Sequence, residues 1–421
     1  MLDVDELISA WDKRFSEYSY NNKIYGRLCL HTIVGQTLRH LKIIKHGIEI
    51  DSRLSFFLVQ SSGSGKSTAL GFVINVADEI GLSFESITNW SDAALVGTIE
   101  SKEERKGKTS ETVYNKVTGI LDDADILHID EASLLFSPTK YNQSTLSMLQ
   151  LALNPIGSPS NKIKKKLAHG EAIEIQPHLS LFLTSYNPDD VTDLVAKRGI
   201  MQRMAIYARF LDPEERLENL FKDIDYLGVE SLDKDHLEEE IVESLRSISH
   251  HFEKVKKIEF DPSIKPLLRN LAQRLYKTTQ NVNPYIIEQV NAFLPRYLTY
   301  IYVISGHHAA IRLSSKVEAE DVKYAYQLVK ILFSSVVSWL ESEMQYEAKK
   351  KSYDKDSAIK AAISIFDQFS IDGKMSLPKW IRLVSEKTER STSTIYRYMK
   401  DQSLLKTLII DRDNKVVRRK E

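Results

Sequence analysis

The chain has 421 residues, a formal net charge of −1, 42% hydrophobic and 27% charged residues, and one cysteine. That length allows two or three domains with cores of their own, and the balanced charge excludes a molecule that attracts polyanions over its whole surface, so any nucleic-acid contact must be local. Cys29 cannot form an intrachain disulfide, the acidic start Met1–Glu6 does not read as a signal or transit peptide, and no apolar stretch approaches the length of about 18 residues that spans a bilayer; the expectation is a cytoplasmic protein with no membrane contact.

Residues 1–50 are predicted helical from the spacing of Leu2, Leu7, Ile8, Trp11 and Phe15, then Leu28, Ile33, Val34, Leu38 and Leu41. This segment should pack on the core that follows. From 51 to 212, short apolar runs alternate with helical patterns, which predicts a parallel sheet covered on both faces. Its strands are expected at Phe56–Val59, Phe84–Ile87, Ile126–Ile129, Leu179–Thr184 and Ala205–Ala208. From 213 to 350 the β-type runs vanish and long helical patterns replace them, including Pro284–Ser305 and Ala319–Leu340, which suits a helical lid domain. A charged link, Tyr346–Asp356, reads as a hinge or a solvated helix end. Residues 357–421 carry helix-like segments at Ser357–Phe369, Leu377–Lys387 and Ser391–Lys400 and two extended runs, Lys406–Ile410 and Lys415–Arg418, around an Asp-Arg-Asp-Asn turn. Three helices and a terminal ribbon suggest a winged helix.

The string QSSGSGKST, Gln60 to Thr68, lies between the first strand and a helix-like segment. In that setting, backbone N–H groups around Gly63, Ser64 and Gly65 can converge on a phosphate, and Thr68 is a further candidate for nucleotide contact. Lys66 reaches the outer phosphates, and Ser67 is placed to bind Mg²⁺. The usual first glycine is replaced by Gln60. About 65 residues later, Ile126-Leu127-His128-Ile129-Asp130-Glu131 is an apolar strand ending in two carboxylates. Asp130 is expected to hold Mg²⁺ through its water shell, and Glu131 to polarise the attacking water. The strand Leu181–Thr184 leads to Asn187, which would orient that water or touch the γ-phosphate. Downstream, Arg203 rather than Arg198 is the candidate to stabilise charge on the γ-phosphate held by a neighbouring subunit.

This ordered set of four motifs resembles the AAA+ ATPases over residues 50–345. The resemblance implies a ring, usually a hexamer, with ATP and Mg²⁺ at each subunit interface. It also implies a second-sensor arginine in the lid that touches the nucleotide, with Arg296 the candidate and Arg312 its rival.

Between the Asp-Glu strand and the Asn strand, two extended arms flank an Ala-His-Gly turn, so a β-hairpin is predicted over 161–175. Lys162, Lys164, Lys165 and Lys166 meet no acidic residue between Asn161 and Gly170. On a ring, such lysines could follow a phosphate backbone through a central channel. A hairpin at this place resembles the pre-sensor branch of the family, which includes minichromosome maintenance helicases and virus- or plasmid-encoded replicative helicases. From Lys379 to Glu421, twelve Lys or Arg stand against six Asp or Glu, a net of +6. Arg397 and Lys400 on a recognition-like helix and Arg418 and Arg419 on the wing are the candidate DNA contacts, although winged helices also dock proteins.

The expectation is an ATP-hydrolysing, α/β P-loop core with a helical lid and a C-terminal winged helix, acting as a DNA translocase or helicase. Its single-stranded DNA would lie in the channel and its duplex DNA at the winged helix. A remodelling or loader ATPase without unwinding activity is the alternative, with Trp90–Gly97 as its pore loop. A third is an assembly in which ATP only stabilises the ring.

Overall fold

Apolar runs of four to six residues build the sheet at the centre of the computed structural model. It describes residues 2–19, 22–45, 47–60, 65–88, 91–106, 109–136, 140–166, 172–186, 199–225, 232–280, 282–370, 372–388 and 392–420. The strands are β1 (Phe56–Gln60), β2 (Phe84–Ile87), β3 (Ile126–Ile129), β4 (Ser180–Ser185) and β5 (Ala205–Arg209). Each lies within one residue of its expected bounds. All neighbours run parallel, in the order β5-β1-β4-β3-β2. Every residue of β1, β3 and β4 is buried, as expected of strands covered on both faces.

This order fixes where a ligand can sit. β1 is followed by β2, across β4 and β3, whereas β4 is followed by β5, across β1. The chain therefore leaves two adjacent strands in opposite directions. In an open parallel sheet, that reversal opens a crevice at the strands' carboxyl ends.

The amino-terminal helices Val4–Ser19 and Lys23–Thr37 pack on the core as predicted: Trp11 and Phe15 are fully buried, and the Trp11 ring lies 5.0 Å from that of Phe72 on the helix Lys66–Glu79. The helical reading of 1–50 and 213–350 is otherwise incomplete. Lys42–Lys45, Ile48–Asp51, Lys257–Phe260 and Lys316–Val317 form a second, four-stranded sheet. Ile43, Ile258 and Val317 are fully buried within it. Segments more than 200 residues apart thus share one sheet, with Ile43 paired to Ile258.

A second unpredicted feature is a hairpin of two ten-residue strands, Gly97–Lys106 and Thr109–Thr118. The predicted helix at 284–305 runs from Ile287 to Ile311, and the one starting at Ala319 continues to Phe369, through the link expected to be a hinge or a solvated helix end.

Contacts divide the chain into residues 1–340 and 341–421, so the expected core and lid belong to one compact unit. The second unit has helices Leu377–Thr388, Thr392–Tyr398 and Gln402–Leu405. Its strands Lys374–Ser376, Leu408–Asp411 and Val416–Arg419 form an antiparallel sheet with the last strand in the middle. Trp380, Phe366, Leu404 and Val417 build its own core. The strand Lys374–Ser376 and the short helix at 402 were not expected.

Candidate active site

The crevice at the ends of β1 and β4 receives the first group of expected residues. β1 ends at Gln60, and the helix Lys66–Glu79 starts at Gly65, whose φ of +71° is left-handed and suits glycine. Free N–H groups and the positive end of the helix dipole make this start favourable for an anion. Gln60 also explains itself: it closes the strand, paired to Arg209, in an extended backbone that needs no glycine. Its carbonyl accepts a 3.0 Å hydrogen bond from Lys66 Nζ. The Gln60 amide is buried and has no partner. Ser67 and Thr68 are exposed on the first helical turn. Gly63 and Ser64 lie outside the described residues, as does Asn187.

Lys66 stands over the ring of Tyr186, 4.3 Å from its centroid. Burial pushes its ammonium down to about 8, while Asp130 pulls in the opposite direction. A desolvated cation beside a helix start attracts phosphate more strongly than a hydrated one.

Asp130 and Glu131 follow β3 directly. Glu131 is exposed and adopts φ +48°, uncommon for a residue with a side chain. Its N–H donates to Asp130 Oδ1 at 2.9 Å. The same oxygen accepts from Thr184 Oγ1 at 2.7 Å. Behind it, His128 Nε2 lies 2.9 Å from Thr184 Oγ1, and His128 Nδ1 lies 2.8 Å from Ser86 Oγ. Burial lowers the His128 imidazole to about 4, against the pull of Asp130. Thr184 and Ser86 were missed because only strand register brings them to Asp130. The signal for Thr184 in the sequence is a polar residue inside a buried strand, whereas Ser86 follows Glu85 on an exposed strand and carries no such signal.

The donor set suits one hard cation. A hydroxyl, Ser67, and a carboxylate, Asp130, near a phosphate-attracting lysine match the sparse protein ligation of Mg²⁺, which keeps waters and takes substrate oxygens. No cluster of three or more His, Cys, Asp or Glu capable of holding a metal occurs among the described residues.

Arg203 and Arg296 are brought together elsewhere. Arg203 precedes β5, whose first residue pairs with Phe56 at the start of β1, so it lies at the edge of the sheet opposite Lys66. Arg203 donates to Asn154 Oδ1 at 3.2 Å and to the Gly199 carbonyl at 2.7 Å. Arg296 donates to the Arg203 carbonyl at 3.2 Å. Both line a cleft of about 70 Å³ with Arg53 and Tyr300. Burial, then the charge of Arg296, pushes the Arg203 guanidinium down. The rival Arg312 is committed to Asp321, at 2.7 and 3.0 Å, with Glu318 and Glu320 nearby.

The lysine hairpin is present as two antiparallel arms, Ile163–Lys166 and Ala172–Ile175, with its turn outside the described residues. Alternation divides its faces. Ile163, Ile173 and Ile175 are buried with Lys165 on their side, while Lys164 faces outward opposite Glu174. Lys162 and Lys164 share that one carboxylate at 3.2 and 3.6 Å and are each more than half exposed. Nothing is described of the Lys166 side chain.

In residues 341–421, Arg397 and Lys400 are exposed. Arg419 pairs with Asp367, and Arg418 lies 4.0 Å from Asp411. Arg418 and Arg419 therefore have acidic neighbours.

Leu95 and Val96, suggested as part of a pore loop, are fully buried at the base of the long hairpin. No helix among the described residues is long and apolar enough to cross a membrane. No protein-family model and no curated protein matches the chain.

Proposed function

We propose that the protein is an ATPase of the AAA+ type that moves nucleic acid, as a ring-forming replicative-type DNA helicase. The observation that carries the ATPase part is the meeting of Lys66 and the Thr184-bound Asp130 at the one reversal of strand order, where a parallel sheet offers its ligand crevice. The lid and winged helix are the matching readings of the helices after 213 and of residues 357–421.

In this reading, Lys66 and the helix start hold the outer phosphates, and Ser67 and Asp130 hold Mg²⁺. The metal supplies charge neutralisation on the phosphate oxygens. Glu131, exposed and fixed by the turn after β3, takes the proton of the attacking water. Arg203 and Arg296 lie one strand length away, about 16 Å for five residues, so both serve a neighbouring copy's nucleotide rather than their own.

The outward lysines of the short hairpin support DNA as the track, because a two-to-one excess of Lys162 and Lys164 over Glu174 leaves net positive charge on the exposed face. The burial of Leu95 and Val96 weighs against a hydrophobic grip on protein substrates. The test is the ATPase rate with and without single-stranded DNA. Changing Lys162 and Lys164 together to Ala should cut the stimulation several-fold and leave the DNA-free rate within about twofold. A wild-type rate indifferent to DNA, or stimulation untouched by the double change, would remove DNA as the substrate.

A further inference from the structure

The geometry points to a positioning relay, Ser86–His128–Thr184, that sets the carboxylate of Asp130 for its cation. The inference rests on the magnesium-nucleotide reading of the site and adds to it residues to which the sequence motifs assigned no role.

Strand register creates the relay. His128 pairs with Ser86 on β2 and with Phe182 on β4. Thr184, two residues beyond Phe182, therefore projects from the same face of the sheet. Three polar side chains on three adjacent strands thus meet: His128 and Thr184 are buried, where polar groups are costly unless paired, and Ser86 joins them from the exposed edge strand. The His128 ring also packs on Phe182, with centroids 4.7 Å apart, which holds the imidazole in line.

The direction of each bond follows from Asp130. A carboxylate only accepts, so the single Thr184 hydroxyl proton points to Asp130 Oδ1. Thr184 oxygen must then accept from His128, which places the ring proton on Nε2. Nδ1 is left bare and accepts from the Ser86 hydroxyl. Each donor in the chain points one step nearer to Asp130 Oδ1, and the Thr184 hydroxyl reaches it.

Asp130 Oδ1 then holds two donors, the Thr184 hydroxyl and the Glu131 N–H. Two bonds to one oxygen fix the rotation of the carboxylate and leave Oδ2 as the oxygen for a cation or its water. A ligand already fixed in orientation loses less freedom when the metal arrives. Thr184 and His128 are accordingly positioning residues, and their loss should weaken metal binding without weakening nucleotide binding in the absence of metal.

Two measurements test this. In the nucleotide-free protein labelled with ¹⁵N-histidine, the His128 signal, assigned by its loss in His128→Phe, should show the Nε2–H tautomer; the Nδ1–H tautomer would overturn the relay. The second measurement is Mn²⁺ affinity, followed by its electron paramagnetic resonance signal with a non-hydrolysable ATP analogue bound. Thr184→Val, which keeps the shape and removes the donor, should weaken Mn²⁺ binding about tenfold. Thr184→Ser should restore it, and analogue binding in EDTA should stay within twofold in both variants. His128→Phe should weaken Mn²⁺ in the same direction by a smaller factor. Equal Mn²⁺ affinity in wild type and Thr184→Val, or no recovery with Ser, would overturn the proposal. A wild-type protein that binds no nucleotide at all would overturn the nucleotide reading, and the relay's purpose with it, whatever the tautomer.

Discussion

His31 and His307 are fully buried and stack with ring centroids 5.5 Å apart. His307 Nε2 donates to the Ser52 carbonyl at 2.6 Å and His31 Nε2 meets Tyr324 Oη at 3.1 Å, while the Nδ1 atoms of both lack partners. Burial lowers His307 to about 4, and burial with the charges of His307, His308 and Arg27 lowers His31 well below the usual value. Both rings are therefore neutral in the folded chain at pH 6, whereas the unfolded chain would protonate them below about 6.5. Stability is full above that value and falls as pH drops toward 4, because the unfolded state binds the extra protons. Between pH 6.5 and 5, His307 alone should cost on the order of 2 kcal/mol. His307→Gln keeps a donor for Ser52 and cannot titrate, so its urea midpoint should drop less than the wild type's between pH 7 and pH 5. Equal drops would clear His307 of the role. At this scale the sequence was legible only where spacing is local: Lys66 and Ser67 follow their glycine, and Asp130 and Glu131 follow their strand. Thr184, Ser86 and the paired histidines were not legible, because their partners come from strand register and from helices up to 293 residues away.

Element by element, legibility follows burial on both faces. The central core strands were found because a strand covered on both faces is mostly apolar, as Phe56–Val59 and, apart from His128, Ile126–Ile129 are. The second sheet was missed because Lys42-Ile43-Ile44-Lys45 and Lys257-Ile258-Glu259-Phe260 are only four residues long, and their pairing is set by distant chain. The long hairpin was missed because its strands are rich in Glu, Lys and Thr and carry no apolar alternation. Its glycines were the available signal. Gly97 has φ +98°, and a Cβ there would stand 2.3 Å from the Val117 carbonyl oxygen; one on Gly119 would stand 2.3 Å from Gly97 N. Neither backbone can yield without opening the base of the ladder. Gly71, by contrast, lies exposed on the helix Lys66–Glu79 with nothing within 4 Å of an added Cβ. Gly97→Ala should therefore destabilise by roughly 1–3 kcal/mol, whereas Gly71→Ala should stabilise by about 0.5–1 kcal/mol. Thermal melts of the two single variants should shift in opposite directions; a neutral Gly97→Ala would mean that the hairpin base is not closed as described.

Across the whole molecule, the candidate chemistry is divided between two edges of one sheet. Lys66 and Asp130 lie at the carboxyl edge, while Arg203 and Arg296 lie together at the amino edge. Two guanidiniums this close, one donating to the other's backbone, repel unless an anion lies between them, and burial makes the repulsion stronger. Asp51, the carboxylate of their cleft, is already taken by Arg53 at 3.1 Å. In the proposed reading, phosphates held at Lys66 would stay a strand length away within one chain. A head-to-tail assembly of the proposed kind, in which the amino edge of one copy meets the carboxyl edge of the next, would bring nucleotide phosphates to these arginines and complete each site from two chains. The division makes a complementation experiment possible. If the proposed reading holds, Lys66→Ala would remove phosphate binding and Arg203→Ala the arginine given to a neighbour, so each variant alone should be inactive, with Arg203→Ala still binding ATP. Mixed in equal amounts after dissociation and reassembly, the two should regain activity at about a quarter of their random interfaces, where an intact Lys66 faces an intact Arg203. ATPase rate as a function of mixing ratio should pass through a maximum near equality. An Arg203→Ala protein that turns over normally, or mixed oligomers that stay inactive, would place the finger on another residue.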